Sequence, residues 1–484
     1  MQILAREQLS KERGATRLPA LAVISLGCPK NQLDLELMLG ASLRSVARIT
    51  KNLEEADVIL VNSCSFLESA VEETLEEVKS AVFMKKFGRA KRVIVSGCFP
   101  AYLKMLGLIH SENRHVSETD LGNLPLPLHK FNLSILSEVD AFVSPSEAFR
   151  VSELVSEWFV TYEREGEAEH ERFGDKRVLT TPESLAYVKV GEGCNQKCAF
   201  CLIPSFRGSF VSRQKSEILN EVVSLIEAGV KEIVLVSQDT TSYGLDIGTN
   251  LHELLRDIGN IPGRFWLRVM YLYPAKVDDT LIDVYSEFKG KILPYFDLPI
   301  QHISDRVLKR MKRAESERFI RRLFEKIRAR IPESIINSNV IVGFAGETEE
   351  DFKKLVGFVS EGNIDRLGVF TYSNMPGMQS YQLEDQVPEQ VKEERKRILM
   401  EIQKNISLKK NQMLVGKTEE VLVDFKRRVN GKLRYVGRTY RDAYEVNGTV
   451  IFEGKEGIRP GTFQPVKITR AFAYDLVGIW KIRD

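Results

Sequence analysis

Short apolar, β-branched runs recur along this chain, and between them apolar residues return at every third or fourth position. Three such runs open it: ALAVISLGC ends at Cys28, ADVILVNSC at Cys64 and KRVIVSGC at Cys98. Their ends are 36 and 34 residues apart, about the length of a strand, helix, strand step. Helical patterning fills the gaps, as in DLELMLGASLRSV and SAVEETLEEVKSAVFMKKF. The pattern predicts an open parallel α/β sheet with all three cysteines just beyond strand C-termini, the edge at which such sheets gather ligands. From Leu106 to Ser137 the pattern breaks at LPLPLHK, and the segment carries His110, His115 and His129; it predicts a surface insertion. EREGEAEHERFGDKR, Glu163 to Arg177, has few apolar residues and no period, which predicts a solvated linker.

A second alternation begins at LAYVKV, Leu185 to Val190. Strand candidates EIVLVSQD, FWLRVMYLYP, YFDLPIQH, INSNVIVGF and RLGVFTYS follow, separated by amphipathic helices such as SEILNEVVSLIEAGV and TEEDFKKLVGFVSEG. This succession predicts a partial or complete parallel β/α barrel with its functional residues at strand C-termini. A charged helix runs from Pro388, and from about Met413 short β-type segments with Gly turns (EEVLVDF, YEVNGTVIF, FQPVKITRAF) predict a small β-barrel. The fold class is α/β, in three domains: 20–160, 180–412 and 413–484.

Composition agrees with that division. At about 150 residues per domain, 484 residues make roughly three domains. Hydrophobic residues at 43% and charged residues at 28% are those of a globular chain. Lys plus Arg number 69 against 67 for Asp plus Glu, so no global field announces a nucleic acid or a membrane. Only the C-terminal barrel, with 14 basic and 9 acidic residues, carries a local hint of an RNA partner. The first twenty residues mix charges and lack an apolar core, and no apolar run reaches the eighteen or so residues of a membrane span. The expected setting is the cytoplasm, away from membranes, where clustered cysteines bind metal or do chemistry more often than they pair.

Three of the six cysteines fall within eight residues of GEGCNQKCAFCLIPSFRG: Cys194, Cys198 and Cys201. Three thiolates on one loop cannot close a four-ligand zinc site, and no fourth ligand is nearby in sequence. They suit a cubane iron–sulfur cluster in which three irons are held and the fourth is open to an exogenous ligand. The competing explanation is small buried side chains, or a zinc site completed from afar. Burial at a strand end likewise explains any one of Cys28, Cys64 and Cys98 alone, and explains three at equivalent ends less well.

CNQKCAFC after AYVKVGEG resembles the cluster-binding loop of the radical S-adenosylmethionine enzymes. The resemblance implies a [4Fe–4S] cluster on Cys194, Cys198 and Cys201 whose open iron chelates the amino and carboxylate groups of S-adenosylmethionine. One electron then cleaves the sulfonium to a 5′-deoxyadenosyl radical able to take hydrogen from an unactivated C–H bond. Phe200 stands where that motif has its aromatic. From about residue 20 onward the order of domains is similar to the methylthiotransferases, the last domain being like a TRAM barrel. This implies a second [4Fe–4S] cluster on Cys28, Cys64 and Cys98 whose open iron holds the sulfur to be inserted, one S-adenosylmethionine for the methyl group and another for the radical, and a reductant such as flavodoxin.

Two branches of that family modify a transfer-RNA adenosine or an aspartate of a small-subunit ribosomal protein. SLGCPKN, IPSFRG, QDTTSYG, LPIQHISDRVLKRMKR, GVFTYS, DQVPEQVKEERKRILMEIQ and GRTYRDA resemble the second. The insertion after Cys98, the loop SNMPGMQSY and the basic terminal barrel depart from its pattern.

Further candidates come from barrel logic. Gln238 and Asp239, after EIVLVS, either bind S-adenosylmethionine or serve a turn or cap. Gln301 and His302 end a strand candidate, His302 as a substrate contact or a hydrogen-bonded core residue. Gly343 and Gly346 allow close approach of backbone to ligand or a tight turn. Arg207 either pairs with a substrate carboxylate or S-adenosylmethionine, or stays a solvated charge. The activity that the resemblance implies is methylthiolation of the β-carbon of an aspartyl residue in protein twelve of the small ribosomal subunit, with the ribosome or that protein as partner; the charge of the last barrel adds an expected RNA contact. The rivals are the same chemistry on transfer RNA, and a non-catalytic iron–sulfur RNA-binding sensor.

Overall fold

The computed structural model describes residues 18–109, 133–159, 177–429 and 431–481. The three histidines of the insertion and almost all of the charged linker lie outside the described residues. The described ends of those segments carry buried side chains. Leu133 and Leu136 are buried in a short 3-10 turn, and the Arg177 side chain is 6% exposed beside Glu36 at 3.7 Å, a correction to the expected charged surface there.

The chain divides into two compact units, meeting at Val178 and Leu179. In the first, β1 (Ala20–Ser25), β2 (Arg48–Thr50), β3 (Val58–Ser63), β4 (Arg92–Gly97) and β5 (Ala141–Val143) form one sheet in the order β2-β1-β3-β4-β5, parallel throughout. Every residue of β3 is buried, because helices cover both faces of a parallel sheet; that is why its sequence is a continuous apolar run. The core joins Leu21, Val58, Leu60 and Ile94 to Leu35, Leu39, Val151 and Leu154 of the helices.

In the second unit the barrel strands are β6 (Leu185–Lys189), β9 (Glu232–Val236), β10 (Trp266–Val269), β11 (Tyr295–Asp297), β12 (Ile335–Val342) and β13 (Arg366–Thr371), with the two-residue ribbon β7 (Gly191–Glu192) and β8 (Val211–Ser212) beside the first. They pair as β10-β9-β6 and β11-β12-β13, and a parallel bridge from Leu267 to Ile292 carries one sheet toward the other. The result is a six-stranded, open β/α barrel. Four of its helices start at a side-chain cap, on Asn250, Asp278, Ser316 and Thr348, most completely at Glu349–Ser360, where Thr348 and Asp351 form a capping box. β14 (Thr418–Val429), β15 (Lys432–Arg438), β16 (Val450–Glu453), β17 (Phe463–Ala471) and β18 (Leu476–Trp480) close into a small barrel.

The loop after β15 packs under the β/α barrel. Glu232, the first residue of β9, takes Arg268 Nε at 2.7 Å and Arg438 NH1 at 2.6 Å. Arg438 also holds both oxygens of Asp424 at 2.9 Å, and Arg366, opening β13, holds Asp442 at 2.9 Å. These groups are buried, and each charge has an opposite partner, as desolvated charges require. The plug therefore occupies the strand N-termini and leaves the C-terminal ends for the site.

Candidate iron–sulfur sites and their surroundings

The loop after β6 is held at nearly every residue. Gly193 has φ +82°, and a Cβ there would lie 2.2 Å from the Ser209 carbonyl oxygen, so only glycine fits. Cys194 N–H donates to Gly208 O at 3.1 Å, Asn195 Oδ1 accepts from Phe210 N at 3.0 Å and Gln196 Nε2 donates to Asp239 Oδ2 at 2.9 Å. Ala199 donates to Met311 O at 3.0 Å, and its carbonyl accepts from Ser380 N at 3.0 Å and Ser380 Oγ at 2.8 Å. Ser380 belongs to SNMPGMQSY, so the loop that departs from the expected pattern clasps the cysteines.

Each of the three sulfurs has an N–H donor. Gln196 N reaches Cys194 Sγ at 3.4 Å, Ile203 N reaches Cys201 Sγ at 3.4 Å and Arg313 NH1 reaches Cys198 Sγ at 3.7 Å. Burial holds the Cys194 thiol above its ordinary pKa, with the charges of Asp239 and Cys198 adding to the effect against the Gln196 N–H. A bound cation would reverse that balance.

In the first unit Cys64 and Cys98 directly follow β3 and β4, and Cys28 lies three residues past β1. Asn31 ties these ends together. Its Nδ2 donates to Ser63 O at 2.9 Å, its carbonyl accepts from Asn62 Nδ2 at 2.9 Å, and its Oδ1 accepts from Cys98 Sγ at 3.5 Å. The Cys64 thiol is pushed up to about 12, first by burial and then by the neighbouring charges of Cys98 and Cys28, so the three sulfurs share one electrostatic site.

All six cysteines are free thiols. Among the described residues no three Cys, His, Asp or Glu side chains converge on one point as a single chelated ion requires. A cubane asks for a wider spread, since each thiolate takes its own iron. The thiol donor set of each trio suits such a cluster, and in the second unit the N–H donors to all three sulfurs suit it further.

Comparison with known proteins agrees with this architecture. The Radical SAM superfamily model matches residues 188–359, that of the uncharacterized protein family UPF0004 matches 20–115 and that of the TRAM domain matches 415–480. Proteins named ribosomal protein uS12 methylthiotransferase RimO are similar along nearly the whole chain. The one from Desulforamulus reducens is 38% identical over 95% of this chain and 99% of its own, and the one from Aquifex aeolicus 40% identical over 95% and 96%. This chain belongs to the RimO methylthiotransferase family. A solved structure of the radical S-adenosylmethionine methyltransferase TsrM from Kitasatospora setae, with cobalamin and a [4Fe–4S] cluster bound, superposes with a TM-score of 0.48 at 13% identity, over 73% of this chain and 75% of that one.

As a RimO-family member the chain is a radical S-adenosylmethionine enzyme that works with [4Fe–4S] clusters and S-adenosylmethionine. Around its cysteine loop Glu192 is a hub: it accepts from Lys189 Nζ and Gln238 Nε2 at 2.6 Å each and from Arg207 NH1 at 3.0 Å. Burial works against the carboxylate's charge, but Lys189 and Arg207 outweigh it and bring the group down to about 2. Arg207 is thus a buried ion-pair partner, not a solvated charge; its side chain is 2% exposed. Gln238 keeps a buried Oε1 without a hydrogen-bond partner.

Asp239 is fully engaged, by Gln196, by Ser242 Oγ at 2.6 Å, by Thr241 Oγ1 and by Lys276 Nζ at 3.1 Å. Phe200 is buried in the loop. Gln301 sits at φ +68° with its backbone bonded to Asn339 and Ile341. His302 is a buried, hydrogen-bonded histidine whose Nδ1 accepts from Ser304 N at 3.0 Å. Gly343 is a turn position: its N–H donates to Glu347 Oε2 at 2.6 Å, and a Cβ would meet Lys392 Cγ at 2.2 Å. Of the two readings, the tight turn is the one this geometry displays, with Lys392 where a side chain would stand. Gly346 is closed off similarly by Asp385 and Arg310. Sequence reasoning missed Asn31, Glu192, Gln196, Arg313 and Ser380. The first three stand within three residues of a cysteine, and that proximity was the available signal.

Proposed function

We propose that this enzyme attaches a methylthio group to the β-carbon of an aspartyl residue of ribosomal protein uS12, with domains at 20–160, 180–412 and 413–484. The identity of about 40% to uS12 methylthiotransferases over 95% of the chain supports the substrate. The two separate thiol trios, each knitted by its own polar residues, support the division of labour: Cys194, Cys198 and Cys201 hold the radical-generating cluster, and Cys28, Cys64 and Cys98 the sulfur-handling one. When bound, the first cluster with S-adenosylmethionine supplies a carbon radical strong enough for an aspartate β C–H, which no side-chain base removes at neutral pH.

The chain's own residues position and shield. Gln196 and Asp239 hold the cysteine loop at the strand ends, and Ser380 closes over Ala199. Gln238, anchored through Nε2, offers its spare Oε1 to the amino or ribose hydroxyl groups of S-adenosylmethionine, and Phe200, buried in the same loop as the cysteines, lines the cofactor's place. The small barrel's basic surface suits RNA next to the ribosomal target, a reductant such as flavodoxin delivers the electrons, and the setting is the cytoplasm. No helix among the described residues is long and apolar enough to cross a membrane.

Anaerobic reconstitution with iron counting tests the cluster assignment. About eight irons on the native chain should fall to about four when either trio is replaced by alanine. Mass analysis of uS12 and of transfer RNA from cells lacking the gene tests the substrate: a lost methylthio group on the aspartate is expected, and its loss from transfer-RNA adenosine instead would overturn the assignment.

A further inference from the structure

Arg313, the side-chain donor to Cys198, ends the stretch LPIQHISDRVLKRMKR. Its side chain is 4% exposed and that of its partner Glu315 is fully buried, the two joined NH2 to Oε1 at 2.8 Å. Arg313 NH2 also donates to Pro299 O at 3.1 Å, and the guanidinium lies 4.2 Å from the Tyr273 ring centroid. Its NH1 points at Cys198 Sγ. Two acceptors on NH2 and a ring face thus fix a fork whose NH1 is directed at a sulfur, while its buried Nε has no hydrogen-bond partner. The backbone two residues earlier grips the same loop, through Ala199 N–H to Met311 O.

We infer that Arg313 is a positioning residue that raises the reduction potential of the cluster on Cys194, Cys198 and Cys201, with Glu315 as the opposing charge. It rests on the proposed cluster assignment. Reduction adds one electron to a cluster that is already anionic with three thiolates, and the added charge is delocalised onto the sulfurs. A charge-assisted N–H bond to one sulfur, in a site shielded from water, stabilises the reduced state more than the oxidised one. Glu315, bonded to the far side of the same guanidinium, acts in the opposite direction through its own charge. Neither group touches the electron's source; both change how easily the electron is held.

The two charges make predictions of opposite sign, which a merely structural role would not. The test uses the full chain carrying Cys28→Ala, Cys64→Ala and Cys98→Ala, reconstituted anaerobically so that one cluster remains, and titrated with dithionite under electron paramagnetic resonance. Arg313→Gln should lower the reduced-to-oxidised ratio at a fixed applied potential about tenfold, which for one electron is about 59 mV. Glu315→Gln, which keeps its Oε1 acceptor, should raise that ratio, and Arg313→Lys should fall between parent and Arg313→Gln. Midpoints of Arg313→Gln and Glu315→Gln that match the parent at four irons each would overturn the inference. Should Arg313→Gln fail to hold iron, an unchanged midpoint in Glu315→Gln and Arg313→Lys overturns it equally, and shifts of the stated signs support it. A parent that retains no iron would remove the cluster assignment, and this inference with it.

Discussion

At Gly193 a single hydrogen atom decides whether the cysteine loop can close. The left-handed backbone and the Ser209 carbonyl 2.2 Å from the would-be Cβ are both fixed by the β7–β8 ribbon, so neither can yield cheaply. Gly193→Ala is therefore expected to leave the second unit folded but with a displaced Cys194. Iron should fall from about eight to about four per chain, read by iron and sulfide analysis beside an unchanged circular dichroism spectrum. His302 makes a different residue-level prediction. Burial lowers its pKa to about 3 from 6.5, with the charges of Arg395 and Arg306 opposing protonation too and Asp351 favouring it. Its Nε2 lies 3.8 Å from Glu347 Oε2, too far for a hydrogen bond. Below pH 6.5 the unfolded chain binds a proton there that the folded chain refuses until about pH 3. Acidification between those values thus costs stability, at a limiting slope of about 1.4 kcal/mol per pH unit. Urea unfolding of the native chain and of His302→Gln from pH 7 to 5 should show that slope reduced by the variant; equal slopes would place the acid sensitivity elsewhere.

At the scale of elements, the function depends on strand ends being brought into register. Asn31 reaches from the helix Pro29–Ser45 to Ser63 at the end of β3 and to Cys98 after β4. Asn31→Ala removes the donor to Ser63 and leaves that buried carbonyl without it, a loss on the order of 1–3 kcal/mol. The expected outcome is selective: the first unit's cluster becomes labile, whereas reductive cleavage of S-adenosylmethionine, which needs only the second unit's thiols, continues. Losing both activities together would show that Asn31 acts on folding as a whole. The strands themselves were legible in the sequence because parallel strands are buried on both faces and read as unbroken apolar runs, VILVNS being buried at all six positions. The cysteines were legible through spacing. The clamps were not, because they join residues far apart in sequence: Ser380 and Ala199 are 181 positions apart, Arg313 and Cys198 are 115. Only the fold makes such pairs neighbours. Gly343 is a position whose sequence context leaves ligand approach and a tight turn both open, and Lys392, from a helix some fifty residues later, stands where a Cβ would be.

At the scale of the whole molecule, the placement of charge separates stability from chemistry along the strands of the second unit. β9 carries Glu232 at its first residue, inside the buried network with Arg268, Arg438 and Asp424, and runs toward Gln238 and Asp239 beside the cysteine loop. GRTYRDA, a stretch that looked like a family signature, supplies Arg438 and Asp442 to that network. Its role is to join the small barrel to the strand N-termini, where neither cofactor nor substrate is expected. Burying these charges is tolerable only because they are all partnered, so removing one strands the others. Arg438→Met would leave both Asp424 oxygens without their guanidinium donors and Glu232 with Arg268 alone. The expected loss is about 3–5 kcal/mol in unfolding free energy, measured by urea denaturation of the apo chain. The double variant Arg438→Met, Asp424→Leu should recover part of that loss, because it removes the orphaned carboxylate along with the cation. Iron content of the reconstituted variants should stay at the native level under conditions where they are folded, since the cysteine loop is anchored at the other end of the same strands. Equal stability in the single variant and the native chain would mean that the small barrel is held by its apolar contacts alone, and a selective loss of iron would mean that the two ends of the barrel are coupled.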